Sequence, residues 1–266
     1  MILKKIAPTA IIEEGAKIAD NVEIGHFCVI GADVEIGEGT KVHNHVTLAG
    51  KTTIGKNNTI FPGAVLGTQP QDLKYAGEQT ELIIGDGNLI REFAMFNPGT
   101  AGDLGKTIIG NHNLFMAYTH IAHDCVVGDR CILANGATLG GHIHVGNFVN
   151  IGGLTPVHQF VHIGDYAMVA GASALSQDIP PFCMAEGNRA IVRGLNRHRL
   201  RQIMDRESID RISSLYKRLF SGSAPLKEIA QAELEKNAGQ DPNVEYMCRF
   251  ILESKRGIPF ARNSNE

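Results

Sequence analysis

An aliphatic residue recurs at every sixth position of this 266-residue chain. Counting from Ile6, the hits are Ile12, Ile18, Ile24, Ile30, Ile36, Val42, Leu48, Ile54, Ile60 and Leu66, without a miss. A second run starts at Ile109 and passes through Phe115, Ile121, Val127, Leu133, Leu139, Val145, Ile151, Val157, Ile163 and Val169 to Leu175. Ile84, Ile90 and Phe96 bridge the two runs. A six-residue period cannot belong to an amphipathic helix, whose faces repeat every 3.6 residues. It suits short strands that turn, run and turn again, each coil stacked about 4.8 Å from the last. The expected fold is mainly β, a parallel β-helix of six-residue repeats followed by a C-terminal α-helical domain.

A second column lies two residues before each hit: Ala10, Ala16, Val22, Cys28, Val34, Thr40, Val46, Thr52, Asn58 and Ala64. All but Asn58 are small or β-branched, as a narrow strand-lined interior requires. An inward Asn58 needs hydrogen-bond partners for its amide. Glycine follows many of the hits (Gly25, Gly31, Gly37, Gly55, Gly67, Gly128, Gly146, Gly164), where a corner calling for positive φ is expected.

The register breaks twice. Between Leu66 and Ile84 the in-phase positions hold Asp72 and Glu78, which cannot face a dry core, so residues 67–83 are expected to form an outward loop. Phe96 and Ile109 are one residue further apart than two repeats and enclose Asn97-Pro98-Gly99-Thr100, giving a second excursion over 97–107. The repeat is expected to stop at Ser176-Gln177-Asp178-Ile179-Pro180-Pro181. Helical patterns follow at 195–204, 206–220, 225–237 and 243–254. Two domains are expected, 1–189 and 190–266, the second capping the open end of the first.

A net charge of −3 gives no general attraction to nucleic acid or membrane. The start, Met1-Ile2-Leu3-Lys4-Lys5, lacks the apolar run of a signal peptide, and no stretch of about 18 apolar residues could span a bilayer. The five cysteines form no Cys-x-x-Cys pair, and Cys28, Cys125 and Cys131 fall in the small inward column. A cytoplasmic setting is expected.

Six of the eleven histidines (His120, His123, His142, His144, His158, His162) crowd into one short stretch, and none occupies the aliphatic column. With 18 residues per coil, Gly141 stacks on His123 and Gln159 on Gly141, with His142 and His158 as their neighbours. The group then shares one edge of the prism within about 10 Å. Asp124 adjoins His123 and can orient its imidazole. A histidine base, an acidic orienter and a glycine amide are the parts that acyl transfer needs. Inert surface histidines and a zinc site are the competing readings.

The segments His120-Ile121-Ala122-His123-Asp124-Cys125, Cys131-Ile132-Leu133-Ala134-Asn135 and Ile151-Gly152-Gly153-Leu154-Thr155-Pro156-Val157-His158-Gln159-Phe160 resemble the UDP-N-acetylglucosamine acyltransferases of lipid A synthesis, a hexapeptide-repeat family. Gln71-Asp72-Leu73-Lys74-Tyr75-Ala76-Gly77-Glu78 is similar to their nucleotide-sugar loop. The resemblance implies a left-handed coil and a cytoplasmic homotrimer. It also implies transfer of an (R)-3-hydroxyacyl group from acyl carrier protein to the sugar's 3-position, with neither metal nor cofactor. It assigns the base to His123, its orientation to Asp124 and the oxyanion to the Gly141 amide. Gln71, Asp72, Lys74, His120, His142, His158, Gln159, Arg189 and Arg197 would hold substrate, and Gly171 would set acyl length. The chain departs from the family pattern at Arg189, where a histidine is usual, and around Arg197-His198. Arg189, Arg193, Arg197, Arg199 and Arg201 form a stretch free of acidic residues, expected to dock the acidic carrier protein.

The rivals are a β-helix zinc enzyme of gamma-carbonic-anhydrase type, a non-catalytic β-helix scaffold, and a sister N-acyltransferase, which would carry an additional N-terminal domain. Whether the acceptor is a 3-hydroxyl or a 3-amino group is left open.

Overall fold

In a computed structural model, which describes residues 5–221, 224–237 and 239–261, the repeat winds into a three-sided prism. Among those residues, sheets of eleven, eight and eight strands form its faces, named here A, B and C. Lys5–Ile6, Ile11–Ile12 and Lys17–Ile18 make the first coil, one two-residue strand per face. The next coil pairs on it in parallel, Ile6 with Ile24, Ile12 with Ile30 and Ile18 with Ile36. From Ile24 onward the aliphatic column is buried along the whole prism.

The inward column is as dry as its composition requires, and its asparagines form a ladder. Asn58 donates from Nδ2 to the Gly85 carbonyl at 2.9 Å and accepts at Oδ1 from the Asn88 amide at 2.8 Å. Asn88 does the same one coil on, donating to Gly110 and accepting from Asn113. The amide that looked costly in the sequence is thus one rung of an internal ladder.

The corners differ from expectation. Of the glycines that follow the aliphatic hits, only Gly67 has a positive φ. The others serve close stacking: a Cβ on Gly25 would overlap Asn44 of the coil above. The left-handed residue comes three positions after the aliphatic hit and is usually not glycine: Asn21, Phe27, His45, Phe93, Tyr118, Asp124, His142, Phe148, Phe160 and Tyr166 all lie there. Left-handed backbone costs such residues roughly 1–2 kcal/mol. Aromatic residues at successive corners stack, as Phe93 does on Tyr118 at 5.3 Å, which offsets part of that cost.

Both excursions leave after a sheet B strand and return on sheet C. The first runs from Val65–Leu66 to Glu81–Ile84, the second from Met95–Phe96 to Lys106–Ile109. Residues 81–83 and 106–107, read as loop in the sequence, are strand: the return strands extend and pair with each other, Leu82 with Thr107. The loops proper are therefore 67–80 and 97–105, and both emerge from the B–C edge.

Pairing does not end at Ser176–Pro181. Cys183–Glu186 continues sheet A in parallel on Met168–Val169, and Ile191–Leu195 closes it antiparallel. The last edge is covered, because the Val192 amide donates to the Pro259 carbonyl at 2.7 Å. Four helices follow: α1 (Arg197–Ile203), α2 (Arg206–Ser221), α3 (Leu226–Lys236) and α4 (Pro242–Glu253). Asn196 caps α1, and Asp241 caps α4 with proline in its first turn. The tail is fixed to the prism by Tyr246, whose hydroxyl accepts from the Asp165 amide and whose ring meets Phe182 edge-on. Ser254 donates to the buried Asp178 carboxylate at 2.6 Å.

Candidate active site

His123 follows the sheet B strand His120–Ile121, so it stands on the B–C edge one coil beyond the second loop. Its ring is almost wholly buried, and Asp124 is fully so. Asp124 takes the left-handed corner position (φ 58°), which aspartate tolerates better than most residues and which brings its carboxylate back to the preceding ring. The His123 Nδ1 to Asp124 Oδ2 distance is 2.9 Å. A carboxylate only accepts, so Nδ1 is the donor of this pair and a neutral ring has its lone pair on Nε2.

Gly141 stacks on that ring as the 18-residue spacing requires. A Cβ there would stand 2.5 Å from His123 Cε1 and 2.7 Å from Nε2, so only glycine leaves room for the imidazole. The Gly141 carbonyl accepts from the Phe160 amide at 3.2 Å, while its N–H meets no acceptor among the described residues. A hydrogen-bond donor therefore stands free beside the base.

His142 completes a second wall. Its Nδ1 lies 2.6 Å from Asp103 Oδ2, its ring stacks flat on Phe160 at 4.4 Å and it meets His123 edge-on at 4.8 Å. His120 lies on the outer face of sheet B, in register with Met95 and Thr138. Burial holds it below the ordinary histidine value, His123 adds to the shift, and a hydrogen bond with the Met95 backbone opposes it. His158 and Gln159 lie exposed on the same edge one coil further on. Burial pushes the Cys125 and Cys131 thiols up to about 12, which fits their inward, inert placement.

The first loop, 67–80, leaves from this edge. Gln71 Nε2 donates to the Met95 sulfur at 3.1 Å, next in register to His120, and Asp72 shapes the crest by accepting from the Lys74 amide. Leu73 points wholly into solvent.

Other residues of the expected set lie apart within this chain. Gly171 is on the A–B corner rather than the B–C edge, and its φ is not left-handed; a Cβ there would meet only Gly153, at 3.3 Å from the carbonyl oxygen. Arg189 is an exposed left-handed turn residue, and Arg197 opens α1 in solvent. The arginine stretch is not uniformly free: Arg193 faces Glu186 at 3.4 Å, and Arg199 lies over Phe148 at 5.7 Å.

Three residues had been given no role in the site by the sequence. Thr100 donates to Asp124, Asp103 holds His142, and Glu78 ties the two loops by accepting from Ala76 and Ala101 amides. Its own backbone amide, followed by those of Ala76 and Ala101, keeps the Glu78 carboxyl below the usual range. Their only signal in the sequence was membership of the two excursions.

The ligand atoms of His123, Asp124 and His142 lie within 4.8 Å of one another, a spacing that a metal could use. Each is already engaged as a hydrogen-bonding group, Asp124 by Thr100 and His123 and His142 by Asp103.

Coils of this kind are those of the hexapeptide-repeat transferases: the bacterial transferase hexapeptide model matches residues 15–50 and 106–141. The tail narrows the class: residues 178–259 match domain 2 of UDP N-acetylglucosamine O-acyltransferase. The acyl-[acyl-carrier-protein]–UDP-N-acetylglucosamine O-acyltransferase of Helicobacter pylori (strain Shi470) is 59% identical over 99% of this chain and 98% of its own. A crystal structure of UDP-N-acetylglucosamine acyltransferase superposes with a TM-score of 0.95 at 61% identity, covering 96% of this chain and 98% of that one. The Campylobacter jejuni enzyme follows at 0.92 and 48%, over 97% and 100%. The chain belongs to the UDP-N-acetylglucosamine O-acyltransferase family, and its prism is a left-handed parallel β-helix.

Proposed function

We propose that the B–C edge transfers an (R)-3-hydroxyacyl group from acyl carrier protein to the 3-hydroxyl of UDP-N-acetylglucosamine, the first step of lipid A biosynthesis. The observation that carries the site assignment is the buried His123–Asp124 pair facing the free Gly141 amide. His123 Nε2 removes the proton from the sugar hydroxyl as its oxygen attacks the thioester carbonyl. The Gly141 N–H receives the oxyanion. Collapse of the tetrahedral adduct breaks the carbon–sulfur bond, and the imidazolium returns its proton to the departing thiolate. A thioester supplies its own leaving group, so the reaction requires neither metal nor cofactor.

Gln71, Asp72 and Lys74 hold the nucleotide sugar, and His120, His142, His158 and Gln159 position the reacting groups. Arg189, Arg197 and Gly171, remote within one chain, join the site from a neighbouring copy of a homotrimer. An apolar outer stripe supports that assembly: Leu89, Phe93, Tyr118 and Leu154 are all well exposed in the single chain. The enzyme works in the cytoplasm, a reducing setting that its free, buried cysteines fit.

The test is the mass of the product formed from (R)-3-hydroxyacyl carrier protein with UDP-N-acetylglucosamine or its 3-amino analogue. An ester on the first sugar is expected; reaction with the amine alone would move the assignment to the sister activity. Sedimentation of an active preparation should give three copies, and a fully active monomer would contradict the shared site.

A further inference from the structure

The carboxylate that orients the base is itself oriented from outside the repeat. Asp124 is fully buried, and a buried charge must find donors or be neutralised. Apart from His123, its donors among the described residues all belong to Thr100: the amide reaches Oδ1 at 3.1 Å and Oδ2 at 3.0 Å, and the hydroxyl reaches Oδ2 at 2.7 Å. A fork of this kind fixes the carboxylate plane, and the plane sets the direction in which His123 Nδ1 is held. Thr100 is not a member of the coil. It sits in loop 97–105, which the neighbouring loop and the strand Glu81–Ile84 anchor at several points.

The Asn97 side chain donates to the carbonyls of Thr68 at 3.1 Å and Gln69 at 3.2 Å. The Gly99 amide donates to the Glu81 carbonyl at 3.2 Å, and a Cβ on Gly99 would overlap the backbone of Gly105 and Lys106. The Ala101 amide donates to Glu78 of the neighbouring loop at 3.3 Å. Thr100 is thus braced on both sides, and its own contact is with the dyad.

We infer that Thr100 is a positioning residue for catalysis, acting through Asp124 to hold His123 in its productive direction. The inference rests on the assignment of His123 as the base. A staple that merely fixed the loop would show the same distances, so the test must separate the two. In the full-length enzyme, Thr100→Val keeps the amide and the shape but removes the hydroxyl. It should lower kcat about 10- to 100-fold with KM for both substrates within about two-fold. Thr100→Ser, which restores the hydroxyl, should recover most of that loss. In an Asp124→Asn background, where the carboxylate is gone, Thr100→Val should cost less than about two-fold.

Unchanged kcat in Thr100→Val, or an equal loss in the Asp124→Asn background, would overturn the inference. If Thr100→Val melts early, Thr100→Ala is read in the same cycle. Turnover surviving His123→Ala would instead remove the base assignment. A dead His123→Ala beside a normal Thr100→Val would leave that assignment standing and remove only this one.

Discussion

The first four coils and those after residue 81 share one interior and differ outside. On sheet A the outward ladder reads Lys5, Glu23, Lys41, Thr59 and then Leu89, Leu114 and Ile132. The early members pair across coils: Glu23 lies 3.8 Å from both Lys5 and Lys41, and on sheet C Lys17 meets Glu35 at 2.6 Å. The later outward members on sheet A are apolar apart from Asn150, while His120 stands outward on B and His144 and His162 on C. Identical backbones thus carry a solvated surface at one end and a working surface at the other. The interior selects the fold, and the outward residues select what each length of it does.

The sharpest way to break that division is to remove one histidine from the working end. His123→Ala should lower kcat by roughly 10²–10⁴ with an unchanged melting temperature. Lys17→Ala at the solvated end should leave turnover at the parental level. Near-normal activity in the first variant would erase the distinction.

Gly171→Met comes next in size. Backbone geometry permits a side chain at Gly171, since its φ is not left-handed and only Gly153 lies near. Each methylene excluded from an apolar groove forgoes about 0.8 kcal/mol, so selectivity should move toward shorter acyl chains by an order of magnitude or more. Activity that fell evenly across chain lengths would place the groove's end elsewhere.

A smaller effect is expected for charge reversal at Arg199 and Arg201, exposed or partly so near the start of the tail. KM for the carrier protein should rise several-fold at low salt, with the effect fading above about 0.5 M salt as the Debye length shrinks. Arg193 belongs less to this surface than its spacing suggested, because Glu186 faces it. An unchanged KM at low salt would remove these residues from docking.

The smallest effect concerns pH. Burial depresses the native-state affinity of His120 for its proton, so the unfolded chain binds that proton more readily. This contribution to stability is complete above the ordinary histidine value of about 6.5 and is lost as pH falls through the depressed native value. His120→Asn should flatten the urea-midpoint profile below about pH 6.5, and parallel profiles would show that His120 is no part of that slope.

The legibility of the site followed the same boundary. His123, Gly141 and Gln159 could be placed together by counting, because beyond residue 109 the coils run without insertion and each is stacked on the next. Coils joined across the loops do not keep that count: Thr59 pairs with Leu89 and Met95 with His120. Thr100, Asp103 and Glu78 sit in those loops, so no spacing tied them to the residues they hold. The corner glycines misled for a related reason. Their small size answered the coil above, not the backbone angle at their own position.

What the sequence determined by itself was the period, and with it the inward column and the edge on which the histidines gather. These follow from covalent geometry, since a residue's neighbour in the next coil lies a constant number of bonds away. The tertiary structure alone decided how the loops fold back, which carboxylate holds which ring, and that sheet A ends in an antiparallel strand under the tail. Those contacts are side-chain hydrogen bonds across irregular backbone. Their energies depend on distances and directions that exist only once the whole edge has assembled.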